Sequence, residues 1–225
     1  MELTARQSEI LSTMGIERWG RQRGGGSALV ENDAAGRELD TLAGEVAKCT
    51  GCSLHATRTH TVFGSGNPCV DWLFVGEAPG RDEDRQGQPF VGRAGQLLTR
   101  MIQALGLARD QVYIANILKC RPPNNRDPLP EEVACCEPFL HRQLELISPK
   151  VIVALGRVSA QALLKTQQPL GRLRGQTFTY GAADTPLIAT YHPAYLLRSP
   201  LEKRKAWQDL RRAQALAATA TLLQF

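Results

Sequence analysis

From about residue 45 onward, the chain contains four short apolar runs separated by longer segments of mixed character. The runs lie at residues 71–76, 112–118, 151–155 and 187–190. Short apolar runs bounded by turn residues predict buried strands. Strands that alternate with helices favour a parallel sheet with helices on both faces. We therefore expect an α/β fold, a three-layer α/β/α sandwich with a four-stranded, mainly parallel central sheet.

Residues 1–44 show a different pattern from the rest. A short amphipathic segment is followed by a loop with three consecutive glycines, residues 24–26, which cannot hold a fixed backbone cheaply. We expect a partly helical N-terminal extension with a flexible linker, and then a domain that spans residues 45–225. Helices are predicted near residues 36–48, 92–105, 130–146, 158–164 and 201–223, with a turn-rich hairpin at 171–181.

Size and composition indicate one globular domain plus the extension, since the chain has 225 residues and is 43% hydrophobic. No apolar run approaches the roughly 20 residues of a membrane helix, and the N-terminus lacks the apolar centre of a signal peptide. We expect a cytoplasmic monomer with no membrane partner. A net charge of +5 allows an anionic partner but does not by itself indicate nucleic acid.

The segment from Gly76 to Leu98 directly follows the first predicted strand. It is rich in glycine and acidic residues, so it cannot form a hydrophobic core, and open α/β sheets bind ligands at this position. Phe90 provides one flat apolar face among polar neighbours. The segment contains no G-K-[ST] and no G-x-G-x-x-G, which disfavours a phosphate-binding loop. We expect a pocket for a planar polar ring.

The six cysteines include one C-x2-C pair, Cys49 and Cys52, followed by the well-separated Cys120 and Cys136. In a cytoplasmic chain this pattern indicates a metal or redox site and not a disulfide framework. The pair precedes the first strand, unlike a thioredoxin-type dithiol. Spacing alone leaves zinc and an iron-sulfur cluster open. Cys69 and Cys135 are expected to be ordinary thiols, although Cys135 competes with Cys136 for the last ligand position.

Several motifs resemble those of one family when they are taken in order. G-E-A-P-G-x-D-E and G-x-P-F-V-G-R-A-G lie at residues 76–95, N-I-L-K-C-R-P-P-N-N-R-D-P at 116–128, C-x-P-F-L at 136–140 and H-P-A-Y-L-L-R at 192–198. They are similar to the motifs of the iron-sulfur uracil-DNA glycosylases, family four of the uracil-DNA glycosylase superfamily. The resemblance covers roughly residues 49–210. It implies an α/β/α fold, DNA repair by base excision, and a 4Fe-4S cluster.

The resemblance also implies roles for single residues. Phe90 would stack on the flipped uracil, Asn116 would read the pyrimidine edge, and His192 would donate to uracil O2 as negative charge develops. The family's better-known relatives carry an aspartate where this chain has Ala78, whose backbone N–H is a candidate to hold O2. The remaining catalytic candidates are Glu77 and Asn125 near the attacking water, and Glu83 as a pocket wall near uracil C5.

The predicted contacts to DNA lie on two loops. Those of the first are Arg121 and Arg126; those of the second are Tyr195, Leu196, Leu197 and Arg198, which would fill the gap left by the flipped nucleotide and hold a phosphate. The resemblance assigns the cluster to Cys49, Cys52, Cys120 and Cys136, in a structural role. The sequence thus predicts a monofunctional glycosylase acting on uracil in single- or double-stranded DNA. The alternative is a non-catalytic iron-sulfur DNA-binding module associated with a polymerase or repair complex.

Overall fold

A six-stranded sheet forms the centre of the computed structural model, which describes residues 26–222. Its strands are β1 (Ser65–Gly66), β2 (Trp72–Gly76), β3 (Tyr113–Asn116), β4 (Val151–Leu155), β5 (Phe178–Tyr180) and β6 (Thr185–Thr190), in the order β1-β3-β2-β4-β6-β5. The inner four strands are mutually parallel, whereas β1 and β5 pair antiparallel at the two edges.

The four predicted strands are therefore the parallel centre of the sheet, and the sheet has two more strands than expected. Neither edge strand carries the apolar run of a buried strand. β1 is only a Ser-Gly dipeptide, and β5 alternates half-buried and exposed positions. The hairpin predicted at residues 171–181 consists of a short helix followed by β5, which turns back onto β6.

Helices cover both faces of the sheet, as predicted for a three-layer sandwich. They are α1 (Gly26–Lys48), α2 (Arg81–Gln86), α3 (Arg93–Ala104), α4 (Pro130–Ile147), α5 (Arg157–Leu164), α6 (Leu170–Leu173), α7 (Pro193–Arg198) and α8 (Lys203–Leu222). On one face the core is shared with α1, α4, α5 and α6, and on the other with α3 and α8. Successive side chains of a strand point to opposite faces, so all five residues of β2 are buried.

Helix α1 begins at Gly26, ten residues before the predicted start at residue 36. The predictions made for residues 1–25 lie outside the residues that the structure describes. Residues from Ala34 onward belong to one compact unit, and within it Leu39, Leu42 and Val46 of α1 are buried. None of the described helices is long and apolar enough to span a membrane.

Candidate active site and thiol cluster

A cleft of about 470 Å³ opens at the carboxyl ends of the parallel strands. This is the position at which open α/β sheets bind ligands, because the loops after neighbouring strands converge there. The loops after β2, β3 and β6 all contribute. Its walls include ten of the predicted residues, namely Glu77, Ala78, Glu83, Phe90, Asn116, Asn125, Arg126, His192, Tyr195 and Arg198.

Phe90 is held in an unusual backbone conformation at one wall of the cleft. Its φ of 54° is in the left-handed region, which a bulky residue adopts only when its surroundings impose it. The ring packs against Gly76, where an added Cβ would lie 2.6 Å from Phe90 Cζ and 2.3 Å from Asn116 Oδ1. The His192 ring lies 5.6 Å away, centroid to centroid. The missing side chain of Gly76 therefore leaves the space in which Phe90 and Asn116 meet.

Asn116, the last residue of β3, carries an unsatisfied acceptor in the cleft. Only 2% of the residue is exposed, and no hydrogen-bond donor within the described part of the chain reaches its Oδ1. A buried polar atom without a partner costs about 1–3 kcal/mol, so native structures rarely keep one without a reason. A ligand with an N–H donor at this position would satisfy it.

His192 is a neutral imidazole with a defined tautomer. Its Nδ1 accepts a hydrogen bond from the backbone N–H of Ala194 at 3.2 Å, so the proton must be on Nε2. Burial, with a smaller contribution from the positive charge of Arg198, lowers the pKa of His192 to about 4. At neutral pH the ring can therefore donate from Nε2 without carrying a charge.

Glu77 is the carboxyl group in the cleft whose ionisation is most perturbed. Burial, followed by the negative charge of Asp127, raises the pKa of Glu77 to about 7, while Arg157 acts in the opposite direction. Arg157 is bound to Asp127 at 2.5 Å, so this ion pair lies beside Glu77. A carboxyl group with a pKa near 7 suits a general base at neutral pH.

Glu83 lines the cleft, but its carboxylate also holds the loop that carries Phe90. Its Oε1 accepts hydrogen bonds from the backbone N–H groups of Val91, at 2.9 Å, and Gly92, at 3.0 Å. This contact differs from the expected role as a wall near uracil C5, because one of its oxygens is used within the protein. The reason is that α2 places Glu83 directly across from the start of α3.

Two residues that support Phe90 were not among the predicted site residues. Arg109 donates from Nη2 to the carbonyl oxygen of Pro89 at 2.7 Å and from Nη1 to Thr99 Oγ1 at 3.0 Å. At Gly95 an added Cβ would lie 1.8 Å from the carbonyl oxygen of Phe90, so α3 packs directly on the Phe90 backbone. Gly95 belongs to the G-R-A-G motif, so the sequence could have indicated it. Arg109 lies in a short 3-10 turn outside any motif, and no sequence pattern indicated it.

The second predicted DNA-contacting loop forms α7, and its side chains divide by helix phase. Tyr195 and Leu197 are 37% and 38% exposed, which suits a surface contact, and Arg198 lines the cleft. Leu196 is only 1% exposed, so the prediction that it enters the DNA is wrong. It points to the other side of the helix and packs into the protein.

The arginines of the first predicted DNA-contacting loop have partners within the protein. Arg126 binds both carboxylate oxygens of the buried Glu132, at 2.8 and 2.6 Å, so its charge is neutralised. Arg121 donates from Nε to Asn125 Oδ1 at 2.7 Å. That bond orients Asn125, which has a positive φ of 53° and lines the cleft. Arg126 is thus mainly a structural residue here, and Arg121 positions a cleft residue.

The four cysteines assigned as ligands line one small cavity beside the cleft. Cys49 and Cys52 follow α1, Cys120 follows β3, and Cys136 lies in α4. Three of the sulfur atoms accept hydrogen bonds: Cys49 from Gly51 N–H at 3.4 Å, Cys120 from Arg58 at 3.2 Å, and Cys136 from Lys119 N–H at 3.2 Å. N–H donors that point at sulfur favour thiolate, the form that binds metal.

The other two cysteines behave differently. Cys135 lies at the rim of this cavity, is exposed, and donates to the carbonyl oxygen of Gly51 at 3.4 Å. Cys69 is exposed in the loop before β2. Neither sulfur accepts a described hydrogen bond, in contrast to the three above.

The four thiols are candidate ligands for a metal group. Burial raises the pKa of Cys136 to about 11 and also raises that of Cys120, so a positive group is needed to hold them as thiolates. A tetrahedral zinc and a four-iron cluster both bind four thiolates. Within residues 26–222 no three metal-ligating side chains are arranged to hold a single ion.

Lys119 connects the thiol cluster with the cleft. Its side chain is almost fully buried and donates from Nζ to the backbone oxygen of Asn116 at 2.9 Å and to Gln143 Oε1 at 2.5 Å. Its backbone N–H binds Cys136. Lys119 thus links Asn116, which its side chain contacts, with Cys136, which its backbone N–H contacts.

Comparison with known proteins identifies the class to which this fold and cleft belong. Residues 63–211 match the family model described as the uracil DNA glycosylase superfamily. The type-4 uracil-DNA glycosylase of Archaeoglobus fulgidus is 47% identical over 180 residues, which cover 77% of this chain and 90% of the relative. That of Thermotoga maritima is 43% identical over 79% of this chain and 93% of the relative. A type-5 enzyme of Pyrobaculum aerophilum is 35% identical over 58% of this chain and 67% of the relative.

The chain belongs to the uracil-DNA glycosylase superfamily, whose model covers the sheet and the cleft. Within that superfamily the relatives at 43–47% identity are type-4 enzymes. The family predicted from the motifs is thereby confirmed. The enzyme class, a uracil-DNA glycosylase of DNA repair, is confirmed with it.

Proposed function

We propose that the protein hydrolyses the N-glycosidic bond of uracil in single- or double-stranded DNA in the cleft described above, and leaves an abasic site. The observation that carries this assignment is the unpaired Oδ1 of Asn116, buried at the cleft wall beside the ring of Phe90. Uracil offers an N3–H donor for that oxygen and a flat face for the ring. Flipping the nucleotide out of the stack brings both into the cleft.

Base reading follows from the amide of Asn116. Its Oδ1 accepts from uracil N3–H, and its Nδ2 donates to O4 of the same edge. Cytosine presents an acceptor at N3 and a donor at the neighbouring position, so it leaves buried groups unpaired at about 1–3 kcal/mol each. No described hydrogen bond fixes the orientation of the Asn116 amide. Its rotation is instead restricted by close packing against Gly76.

Leaving-group stabilisation falls to His192. Breaking the bond places negative charge on uracil O2, and the neutral ring donates to that oxygen from Nε2. The Nδ1 bond to Ala194 and the burial of the ring keep the donor in this tautomer without a competing positive charge. Ala78 also lines the cleft, and its backbone N–H is the second candidate donor to O2.

Water activation is assigned to Glu77, assisted by Asn125. Glu77 has the pKa near 7 that a base needs, and both side chains line the cleft. No lysine lines the cleft as the structure describes it, so an amine nucleophile is lacking there. This composition supports a monofunctional hydrolysis, in which water attacks the sugar.

DNA is held by α7, where Leu197 fills the space of the flipped nucleotide while Tyr195 and Arg198 contact the strand at the mouth of the cleft. Cys49, Cys52, Cys120 and Cys136 would hold a 4Fe-4S cluster, which would cross-link the segment after α1, α4 and the loop after β3. Lys119 bonds both Cys136 and Asn116, and so ties the cleft residue to this site. The protein is expected to act as a monomer.

The test is an alkali assay on matched oligonucleotides that differ only in one base. Strand cleavage after incubation with the uracil substrate, and none with thymine or cytosine, is the expected result. Binding to the uracil strand without release of the base would instead support a non-catalytic DNA-binding module. A panel with hypoxanthine then defines the range of substrates.

A further inference from the structure

An open depression lies next to the cleft, at Leu197. It is lined by Leu197 of α7 and by one side of α3. The two surfaces are continuous, because Ala94 of the same helix lines the cleft and α3 packs against α7. The depression lies outside the residues to which a role has been assigned above.

The exposed polar residues of α3 in this depression form a stripe along one side of the helix. They recur at spacings of three, four and three residues, which is the periodicity of one helix face. We call them the α3 stripe: Arg93, Gln96, Arg100 and Gln103. All four side chains are exposed.

The α3 stripe carries positive charge that the described protein does not neutralise. Arg93 has no hydrogen bond or ion pair to any described residue, and the described bond of Arg100 is to the uncharged Gln103 at 3.2 Å. Some exposed arginines of this protein are instead paired with carboxylates, such as Arg142 with Glu38 and Arg157 with Asp127. An anionic partner would complete this surface.

We propose that the α3 stripe binds the strand opposite the uracil in duplex DNA. This rests on the proposed function, in which the uracil nucleotide enters the cleft and Leu197 takes its place in the stack. What remains on the other side of Leu197 is the opposite base and its sugar-phosphate backbone. The depression is next to Leu197, so the opposite strand would pass over the α3 stripe.

The dimensions and chemistry of the stripe suit a backbone contact. Arg93 and Arg100 are two helical turns apart, about 10 Å along the axis, so they reach separate phosphates. The glutamine amides between and beyond them donate to phosphate or sugar oxygens, which positions a strand without reading its sequence. A single-stranded substrate has no opposite strand and makes no use of the stripe.

The test compares single-stranded and duplex DNA with the double variant Arg93→Gln, Arg100→Gln. Excision and equilibrium binding are measured on one uracil oligonucleotide, alone and paired with its complement, at several salt concentrations. Arg172→Gln is the matched control, since Arg172 is an exposed arginine on α6, which packs on the opposite face of the sheet. Melting temperature and iron content establish that the variants are folded.

For the double variant, affinity for the duplex should fall at least about fivefold, and the log-log salt dependence should lose roughly two units. Single-strand excision should change less than about twofold on this account, as should every property of Arg172→Gln. Unchanged duplex binding, or equal losses on both substrates, would overturn the proposal. If the wild type binds duplex through the stripe but releases no uracil from either substrate, the proposed function fails, and only the contact between the stripe and duplex DNA stands.

Discussion

The pH dependence of uracil release should report the ionisation of Glu77. Burial and the nearby negative charge of Asp127 raise the pKa of Glu77 to about 7. The carboxylate is the base, so the rate should rise with pH and level off above that value. Below it the fraction of Glu77 in the carboxylate form falls about tenfold for each pH unit, so at pH 6 the rate should be about tenfold under its plateau. His192, with its pKa lowered to about 4, is neutral throughout this range and adds no second inflection above pH 5.

Two variants separate this cause from others. Glu77→Gln removes the titrating group, so the slow residual reaction should lose the inflection near pH 7. Asp127→Asn removes the negative charge that raises the pKa of Glu77. It also releases Arg157, whose positive charge lowers that pKa, so the inflection should move toward the ordinary value of a glutamate. The Glu77 carboxylate itself is retained in that variant.

The assay is single-turnover excision from a single-stranded oligonucleotide between pH 5 and 9, with iron content measured at each pH. Single turnover excludes product release from the observed rate. An inflection near 7 that persists in Glu77→Gln would refute the assignment. A wild-type profile that is flat from pH 5 to 8 would show that no carboxyl group with a raised pKa acts as the base.

Three further predictions test the cleft and the thiol cluster. Asn116→Asp puts a second oxygen against uracil O4, so excision should fall at least about tenfold, the factor for 1.4 kcal/mol, with fold and iron content unchanged; full activity would remove Asn116 from base reading. Arg109→Ala loses two hydrogen bonds that hold the Phe90 loop, so kcat/KM should fall by about tenfold while Arg109→Lys falls less; equal activity of both variants and wild type would deny that Arg109 positions Phe90. Single alanine variants of the four assigned ligands should lose iron, and those of the two other cysteines should keep it. The ligands are Cys49, Cys52, Cys120 and Cys136, and the others are Cys69 and Cys135. Loss of iron from Cys135→Ala with retention in Cys136→Ala would reverse the ligand assignment.

The parallel centre of the fold could be predicted because it depends on a local signal. The strands β2, β3 and β4 and residues 187–190 of β6 are buried on both faces, so each of them lies in one of the apolar runs of the sequence. The edge strands β1 and β5 exist through pairing with a neighbour, and neither has such a run. Their formation depends on backbone hydrogen bonds that no side-chain pattern announces.

The sequence predicted which residues line the cleft better than it predicted their contacts. The carboxyl ends of the parallel strands lie together at one edge of the sheet, so the motif residues that follow them also lie close together. Asn116 and His192 therefore line the same cleft as Phe90. The burial of Leu196 and the exposure of Leu197 depend on the phase of α7, which two adjacent leucines do not reveal.

Hydrogen-bond and ion-pair partners that are distant along the chain could not be predicted from the sequence for a related reason. In the sequence Arg126 looks like an unpaired basic residue of the motif. In the structure Glu132 of α4 lies next to it and neutralises its charge. Arg109 reaches Pro89 across twenty residues of chain. Such pairs are set by how elements pack, and a single sequence carries no record of that packing.

The most direct test of the central claim is a crystal structure of the iron-replete protein with uracil bound. The account predicts uracil stacked on Phe90, with its N3 within about 2.7–3.2 Å of Asn116 Oδ1 and its O2 facing Nε2 of His192. Uracil bound away from Asn116, or an Asn116 Oδ1 still without a donor in the complex, would contradict it.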